Sequence, residues 1–426
     1  MIRFLHAADL HLDSALTNLA VYEGAPVEQL RGATRRALAN LVDLAISSRV
    51  DFVLLAGDIY DTDSRHAGTV LFFIGQMSRL YDAKIPVYIM AGNHDAANKM
   101  SRKLPYPDNV FTFSHDRPAT MALDRFGVVL HGQSYAEQAE PNNLALTYPG
   151  AVKGMFNIGV LHTALTGREG HERYAPCMVE DLLTRNYDYW ALGHVHQRES
   201  VRENAHPRVE FPGNVQGRHI REFGAKGCLI ATSNGSGAVT TEFHPLDVVR
   251  WKKVTVDCEG MTDREDIHQQ VKIELEAALA DVGGRMLAAR IELEGACPGH
   301  DALLAKSAQL RDEIRALARP LNNGAVWIEK VVVSTFRPVQ RAPASPIGDD
   351  ALSEIAAVAA DLRARPERLQ ELLDLDALKA LAGKMPTELV EGEMAVLLRD
   401  PVWASGLLDR ARAMLVARAT AKGAER

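Results

Sequence analysis

The sequence has few cysteines, and none of them stands at a spacing typical of a metal or redox motif. Cys177, Cys228, Cys258 and Cys297 are scattered along the chain without a Cys-x-x-Cys pair. Their absence from such pairs argues against a cysteine-based metal site and favours a reducing compartment. We therefore expect structural cysteines in a cytoplasmic protein.

Long apolar runs are also missing. No run approaches the roughly 18 residues that a membrane-spanning helix needs. The first residues, MIRFLHAADLHLDS, contain His6 and Asp9 where a signal peptide would have a continuous apolar region, and no small-residue cleavage site follows. We expect a strand here rather than a targeting segment, and a protein without membrane association.

The chain carries no excess of positive charge. Its 48 Lys and Arg and 55 Asp and Glu give a formal net charge of -7. This excludes a protein that coats nucleic acid by net electrostatics alone, so any such binding must come from a local basic patch or from a partner. With 47% apolar and 24% charged residues in 426, the composition is that of a globular protein with room for two or three domains.

Apolar runs and helical patterns alternate through the first 245 residues. The pattern predicts strand, helix, strand, helix and strand, in that order, over 2–7, 27–48, 52–56, 67–81 and 86–91. This order is typical of an α/β domain. Shorter apolar runs follow at 126–130, 156–161, 189–192 and 228–232. Because this later half is richer in strands, we expect a sandwich of two sheets with helices outside.

The pattern changes after residue 245. The pattern predicts a smaller β-α-β-α-β domain over 246–336. It predicts a linker over 337–348, because proline recurs there without periodicity. Residues 349–426 predict a helical segment rich in Ala, Leu, Arg and Glu. The sequence thus predicts domains at 1–245 and 246–336, followed by the linker and the helical segment.

Residue types that bind metals follow five of the predicted strands. Asp58 comes directly after the run 52–56, and Gly57 gives the backbone room to turn beneath it. The other strand ends carry Asp9 and His11, Asn93 and His94, His162, and the pair His194 and His196. Any one of them would be common in a structural role, but five in one domain predict a metal site. Imidazole, carboxylate and amide ligands without thiolate suit Mn²⁺ or a similar cation.

These motifs resemble those of the calcineurin-like metallophosphoesterases. Five motifs match in order and spacing: Asp9-x-His11, Gly57-Asp58-x-x-Asp61, Gly92-Asn93-His94-Asp95, a lone His162, and Gly193-His194-x-His196. Residues 211–219, FPGNVQGRH, and 224–228, GAKGC, are similar to the DNA repair exonucleases of the SbcD and YhaO type. The resemblance implies an α/β fold with a four-layer-like β-sandwich core flanked by helices, a small α+β capping domain and a helical C-terminal segment.

The resemblance also implies the metal ligands. One divalent ion would be held by Asp9, His11, Asp58 and His196, and the other by Asp58, Asn93, His162 and His194. Asp58 would bridge the two ions, and a hydroxide that they generate would attack the phosphorus.

A proton donor is needed beside the metals, because a sugar alkoxide is a poor leaving group. His94 is the candidate general acid, and Asp95 is expected to orient it. Some nucleases of this class have a second histidine where this chain has Asp61. Arg218 and His219 either face the scissile phosphate or are solvated turn residues, and the sequence leaves both readings open.

Together these features favour a two-metal phosphodiesterase that acts on DNA, as an exonuclease or endonuclease in repair. The alternatives are a phosphomonoesterase or small-molecule phosphodiesterase on the same dinuclear site, and a non-catalytic clamp that holds an ATPase on DNA. By resemblance, the helices of residues 349–426 would dock onto an SbcC-like ATPase subunit. A homodimer is left open.

Overall fold

The computed structural model describes residues 1–14, 26–61, 67–97, 105–165, 174–234, 238–321, 325–338 and 349–365, with residues 368 and 408. Two compact units divide the chain. The first combines Met1–Val256 with His268–Glu292 and Ala308–Val332. The second combines Asp257–Ile267 with Leu293–Ser307 and Val333–Arg426. The domain boundaries that the sequence suggests at residues 245, 336 and 348 stay a prediction.

Twelve strands of the first unit form two six-stranded sheets. They are β1 Ile2–Ala7, β2 Phe52–Ala56, β3 Val87–Met90, β4 Val110–Thr112, β5 Ala119–Leu123, β6 Val128–Gly132, β7 Phe156–His162, β8 Tyr189–Gly193, β9 Glu199–Arg202, β10 Arg208–Phe211, β11 Gly227–Ser233 and β12 Val239–Pro245. The strand order is β12-β11-β1-β2-β3-β4 in the first sheet and β5-β6-β7-β8-β10-β9 in the second.

The centre of each sheet is parallel. In the first sheet, β1 pairs with β2 and β2 with β3 in parallel. In the second, β7 lies parallel between β6 and β8. Strands buried on both faces read as continuous apolar runs, and all five residues of β2, FVLLA, are buried. The carboxyl ends of parallel strands meet at one edge, so each sheet gathers the residues that follow its central strands.

The two sheets pack face to face. Phe4 and Phe52 of the first sheet and Ile158 and Tyr189 of the second belong to one buried cluster. The rings of Phe4 and Phe52 stack with centroids 5.1 Å apart. This arrangement confirms the predicted α/β sandwich.

Five helices accompany the sandwich: α1 Val27–Arg31, α2 Ala33–Ser47, α3 Ala67–Asp82, α4 Asn93–Ala97 and α5 Val179–Leu183. Leu38 and Leu41 of α2 and Phe73 of α3 pack on the face of the first sheet that points away from the second. A turn at Gly32 separates α1 from α2, where the sequence predicted one helix.

A third, three-stranded sheet follows in the order β13-β14-β15. Its elements are β13 Val249–Asp257, α6 Arg264–Asp281, β14 Met286–Glu294, α7 His300–Ala305, α8 Ser307–Ala318 and β15 Val326–Val333. This confirms the predicted succession of strands and helices, with the second helix divided into α7 and α8.

The last described helix is α9, Asp349–Ala364. The helices predicted beyond it, and most of the predicted linker, lie outside the described residues. Among the residues that the structure describes, no helix combines the length and the apolar character needed to cross a bilayer.

Candidate metal centre

The residues singled out by their position after strands come together where the carboxyl edges of the two sheets meet. Asp9 and His11 follow β1, Asp58 follows β2, and Asn93 begins α4 after β3. His162 ends β7 in the second sheet, and His194 follows β8. Both sheets therefore contribute side chains to one site.

Potential ligand atoms of these residues form three groups, in each of which the atoms lie within 4.8 Å of one another. The groups are Asp9 with His11 and His196, His11 with Asp58 and His94, and Asp58 with His162 and His194. The first and third groups fall within the two ligand sets that the resemblance implies. The second group adds His94, which we expected beside the metals.

Asp58 lies at the middle of the site. Its Oδ2 is 3.4 Å from Nε2 of His162 and 3.7 Å from Nε2 of His11. Its Oδ1 accepts the backbone NH of His94 at 3.0 Å. Burial opposes ionisation of Asp58, but the imidazoles around it, His162 first, outweigh burial and hold the pKa of this carboxyl well below its usual range. A carboxylate is therefore present where the two ligand groups meet.

Asn93, expected as a ligand, extends the group around His162. Its Oδ1 lies 3.0 Å from Nε2 of His162, whose Nδ1 lies 2.9 Å from the carbonyl oxygen of Ala56. A ring NH at Nδ1 donates to this carbonyl and leaves Nε2 as an acceptor for a cation. Both Asn93 and His162 are buried.

Four of the candidate ligands have strained backbone. Asp9, His11, Asp58 and His194 all have positive φ, at 53°, 42°, 53° and 95°. Residues other than glycine adopt this region at a cost, and such strain gathers where function requires a particular placement of side chains. Gly57 precedes Asp58 with a φ of 96°, which confirms that the chain turns there.

The two carboxylates beside His94 have different partners. Asp61 Oδ1 lies 2.9 Å from Nδ1 of His94. Asp95, which we expected to orient His94, instead accepts the backbone NH groups of Ile59, Tyr60 and Gly92 at 3.2, 2.9 and 3.1 Å. Asp95 thus ties the turns after β2 and β3 together. Asp61, and not Asp95, is the carboxylate that contacts the His94 ring.

The surroundings of His94 and Asp95 raise the pKa of both side chains. Burial opposes protonation of His94, but the hydrogen bond to Asp61 and the charge of Asp58 outweigh it and raise the pKa of His94. Burial also raises the pKa of Asp95, to about 7. A histidine with a raised pKa retains its proton to higher pH than an ordinary histidine, which favours its action as a proton donor.

A buried carboxylate that the sequence did not reveal stands behind His196. Glu222 Oε1 lies 2.7 Å from Nδ1 of His196, and the guanidinium of Arg218 pairs with the same carboxylate at 2.9 Å. Nothing in the spacing distinguishes Glu222 from the other acidic residues, because its partner lies 26 positions away.

The structure places Arg218 and His219 next to the site. Arg218 Nη1 lies 3.5 Å from Oγ of Ser14 and 3.8 Å from Oδ2 of Asp61. His219 Nε2 lies 3.7 Å from Glu222 Oε1, and its side chain is about one-third exposed, at 37%. Arg218, at 14% exposure, is therefore packed into the site wall and is not a solvated turn residue.

The donor set fits divalent cations. Carboxylate oxygens, imidazole nitrogens and one amide oxygen converge without a thiolate, which suits Mn²⁺ and cations like it. Nε2 of His11 and Nε2 of His196 face each other at 3.2 Å, and Nδ1 of His11 finds no hydrogen-bond partner among the described residues. A cation between the two rings would use both facing nitrogens as ligands.

Comparisons with known proteins match two parts of the chain. The model of the calcineurin-like phosphoesterases matches residues 2–198, and the model of the middle domain of metallophosphoesterase YhaO matches residues 251–336. The chain is 36% identical over 275 residues to "Uncharacterized metallophosphoesterase YhaO" of Bacillus subtilis, a match that covers 64% of this chain and 67% of that protein.

More distant relatives are also found. Over 263 residues the chain is 24% identical to the DNA double-strand break repair protein Mre11 of Sulfurisphaera tokodaii, covering 60% of this chain and 63% of that one. Among solved structures, a dimetal phosphatase from Danio rerio matches with a TM-score of 0.33 and 13% identity, over 54% of this chain and 92% of that one.

Proposed function

The chain belongs to the calcineurin-like metallophosphoesterases and is homologous to the YhaO and Mre11 proteins, and on this premise we propose that it is a two-metal phosphodiesterase that acts on DNA. Membership of the family makes it a metal-dependent phosphoester hydrolase. The observation that carries the proposal is the convergence of ligand groups on Asp58, which belongs to two of the three.

We assign the two metals to ligand sets that share Asp58. One consists of Asp9, His11, Asp58 and His196, and the other of Asp58, Asn93, His162 and His194. Two divalent ions, which we propose to be Mn²⁺, supply Lewis acidity and a bound water of lowered pKa when they are present. The chain's own part is to hold these side chains at the meeting edge of two rigid sheets.

His94 is the proposed general acid. Its ring lies among the candidate ligands, with centroids 4.8 Å from that of His11, and its Nδ1 is held by Asp61. This leaves Nε2 to deliver a proton to the leaving oxygen of the phosphodiester. The raised pKa of His94 supports the role, because the imidazolium persists to higher pH than that of an ordinary histidine.

Asp95 and Arg218 complete the proposed machinery. Asp95 holds the two turns that present Asp58 and His94 in place, through its hydrogen bonds to their backbones. Arg218 is proposed as a phosphate-facing cation, because its guanidinium lies within 3.8 Å of Asp61 in the wall of the site. His219, partly exposed beside it, is proposed to contact the substrate.

DNA is the proposed substrate because relatives named as DNA double-strand break repair proteins match over most of their length. The match of residues 251–336 to the YhaO middle domain supports a capping domain in this chain as well. We place the enzyme in the cytoplasm. The part of residues 349–426 that the structure describes begins with α9, and we propose that this segment docks onto an SbcC-like ATPase subunit.

The test is nuclease activity of the full chain on end-labelled DNA with Mn²⁺, beside hydrolysis of a small aryl phosphodiester and an aryl phosphomonoester. We expect cleavage of DNA and of the diester, both lost in Asp58→Asn. Hydrolysis of the small diester with intact DNA would overturn the assignment of DNA and favour a small-molecule phosphodiesterase. Preference for the monoester would favour a phosphatase.

A chain that ends near residue 341 tests the partner. We expect it to hydrolyse the aryl diester but not to co-purify with the ATPase. Unchanged co-purification would show that residues 349–426 are not the docking segment, and aggregation of the shortened chain would show that they belong to its core.

A further inference from the structure

In the part of the chain that the structure describes, every group hydrogen-bonded to the Glu222 carboxylate is a donor. Its Oε1 accepts hydrogen bonds from Nδ1 of His196 at 2.7 Å and from a terminal nitrogen of Arg218 at 2.9 Å. Its Oε2 accepts hydrogen bonds from Nδ2 of Asn214 at 2.8 Å, from the backbone NH of Arg218 at 2.8 Å and from Nε of Arg218 at 3.3 Å. The residue is 5% exposed, so these groups take the place of water.

Only a carboxylate satisfies this arrangement. Each of its two oxygens accepts hydrogen bonds from several donors, and an ionised carboxyl group accepts at both oxygens and donates at neither. An amide in the same position would turn its NH₂ group toward at least two donors. A buried donor that faces another donor costs free energy, because neither can be satisfied by water.

The carboxylate fixes the tautomer of His196. Nδ1 of His196 lies 2.7 Å from Glu222 Oε1 and 3.2 Å from a terminal nitrogen of Arg218. Because the carboxylate only accepts and is the nearer of the two, Nδ1 carries the proton, and Nε2 is left unprotonated. This is the nitrogen that faces Nε2 of His11 at 3.2 Å, inside the group formed with Asp9. Lys226 Nζ donates to the carbonyl oxygen of His196 at 2.8 Å and holds the backbone of this residue as well.

We infer that Glu222 is a positioning residue that holds His196 in the tautomer and orientation in which its Nε2 binds a divalent cation, and that it anchors Arg218 in the wall of the same site. The inference rests on the proposed function only in taking His196 as a metal ligand. Carboxylates that hold the second nitrogen of a ligating histidine typically change metal affinity by about 10–100-fold when they are removed.

The experiment measures Mn²⁺ binding to the metal-free full chain by titration, without any substrate. It compares the wild type with Glu222→Gln, His196→Ala and the double variant. The matched control is Glu210→Gln, because Glu210 is also buried and paired with an arginine, Arg208, but contacts no candidate ligand in the described part of the chain.

We expect Glu222→Gln to weaken one of two Mn²⁺ sites by about 10–100-fold and to leave the other unchanged. In the His196→Ala background the same change should add little, because residues that act through one another are not additive. Glu210→Gln should lower the unfolding midpoint without changing either site. Unchanged Mn²⁺ binding in Glu222→Gln, or an equal loss with and without His196, overturns the inference.

A second measurement needs no substitution at Glu222. In ¹⁵N spectra of the metal-free wild type, with the signal assigned by its loss in His196→Ala, the His196 ring should be protonated at Nδ1 and bare at Nε2. The opposite tautomer contradicts the inference even if Glu222→Gln fails to fold. If the wild type binds two ions but leaves DNA intact, only the proposed substrate is wrong. If it binds no Mn²⁺, both the proposed function and the role of Glu222 are wrong.

Discussion

Asp58 is the residue on which the contacts of the candidate metal centre converge. Its two oxygens face His162 and His11 on one side and the backbone NH of His94 on the other. It is 1% exposed, so its charge is balanced by these neighbours and not by water. A side chain placed in this way acts on both proposed metals at once.

Asp58→Asn should therefore abolish activity more completely than any single histidine change. An amide has the shape of the carboxylate but no negative charge and only one oxygen that can bind a metal, so it holds both ions more weakly, and metal content should fall at both sites. Metal analysis and turnover of an aryl phosphodiester check this, with His11→Ala and His162→Ala as comparisons. Two ions per chain with near-normal turnover would contradict a bridging role.

His94→Ala should leave Mn²⁺ binding nearly intact and lower kcat on DNA by on the order of 10²-fold or more, the scale of a lost general acid. The deficit should shrink for a diester with an acidic leaving group, because such a group departs without a proton. Measurement of kcat on alkyl and aryl diesters separates the two effects. An equal loss on both would indicate that His94 positions the substrate.

The sequence predicted the candidate ligands because each one ends a strand or comes within a few residues of the end of a strand, so the signal is local. It did not predict which groups hold them. Asp61 is 33 positions from His94, and Glu222 is 26 positions from His196. The neighbouring Asp95 was the natural choice for orienting His94, but its carboxylate is taken up by backbone NH groups. Such pairings depend on how the loops cross, which no local pattern records.

The turn between β3 and α4 constrains how Asp58 is placed. A Cβ at Gly92 would lie 2.4 Å from Asp58 Oδ1 and 2.9 Å from its backbone nitrogen. Glycine is required here because the turn after β3 approaches the turn after β2 this closely.

Gly92→Ala should therefore displace the Asp58 carboxylate and weaken Mn²⁺ binding, with turnover reduced on the order of 10²-fold, the effect of moving a reacting group by about 1 Å. Gly75→Ala is the matched control, because it lies on α3 with no atom within 4 Å of the added Cβ. The control should retain Mn²⁺ affinity and turnover. Normal affinity in Gly92→Ala would show that the turn can yield without moving Asp58.

The sequence predicted the central strands well and missed those without an apolar run. β2 has the predicted bounds because burial on both faces leaves only apolar residues. β1 also has the predicted bounds, although its apolar run is interrupted by Arg3 and His6. β9 and β12 are partly exposed and were not predicted. β10 was hidden for another reason: it is fully buried, but its Arg208 and Glu210 pair with each other, so its sequence looks polar.

In the first unit as a whole, a buried histidine connects the two sheets. His6 lies on β1, and its Nδ1 accepts from the hydroxyl of Tyr189 at 3.0 Å, while its Nε2 donates to the carbonyl oxygen of Leu192 at 3.1 Å, both on β8. The ring is 0% exposed. Burial lowers the pKa of His6 to about 3, against the raising effect of the Leu192 carbonyl.

The lowered pKa of His6 should make the stability of the sandwich sensitive to acid. Below pH 6.5 the unfolded chain protonates His6 while the folded chain does not, so the unfolded state binds more protons and stability falls as pH falls, down to the folded pKa near 3. At about 1.4 kcal/mol per pH unit, the loss from His6 between pH 7 and pH 5 is about 2 kcal/mol.

His6→Gln should be less stable than the wild type at pH 7, because the bridge between the sheets is disturbed, yet it should lose about 2 kcal/mol less on going to pH 5, since glutamine does not titrate. Tyr189→Phe is the control: it removes one hydrogen bond but keeps the imidazole, so it should retain the acid sensitivity of the wild type. Urea unfolding of the metal-free chains at both pH values measures these differences. Equal losses in the wild type and His6→Gln would mean that other groups cause the acid sensitivity.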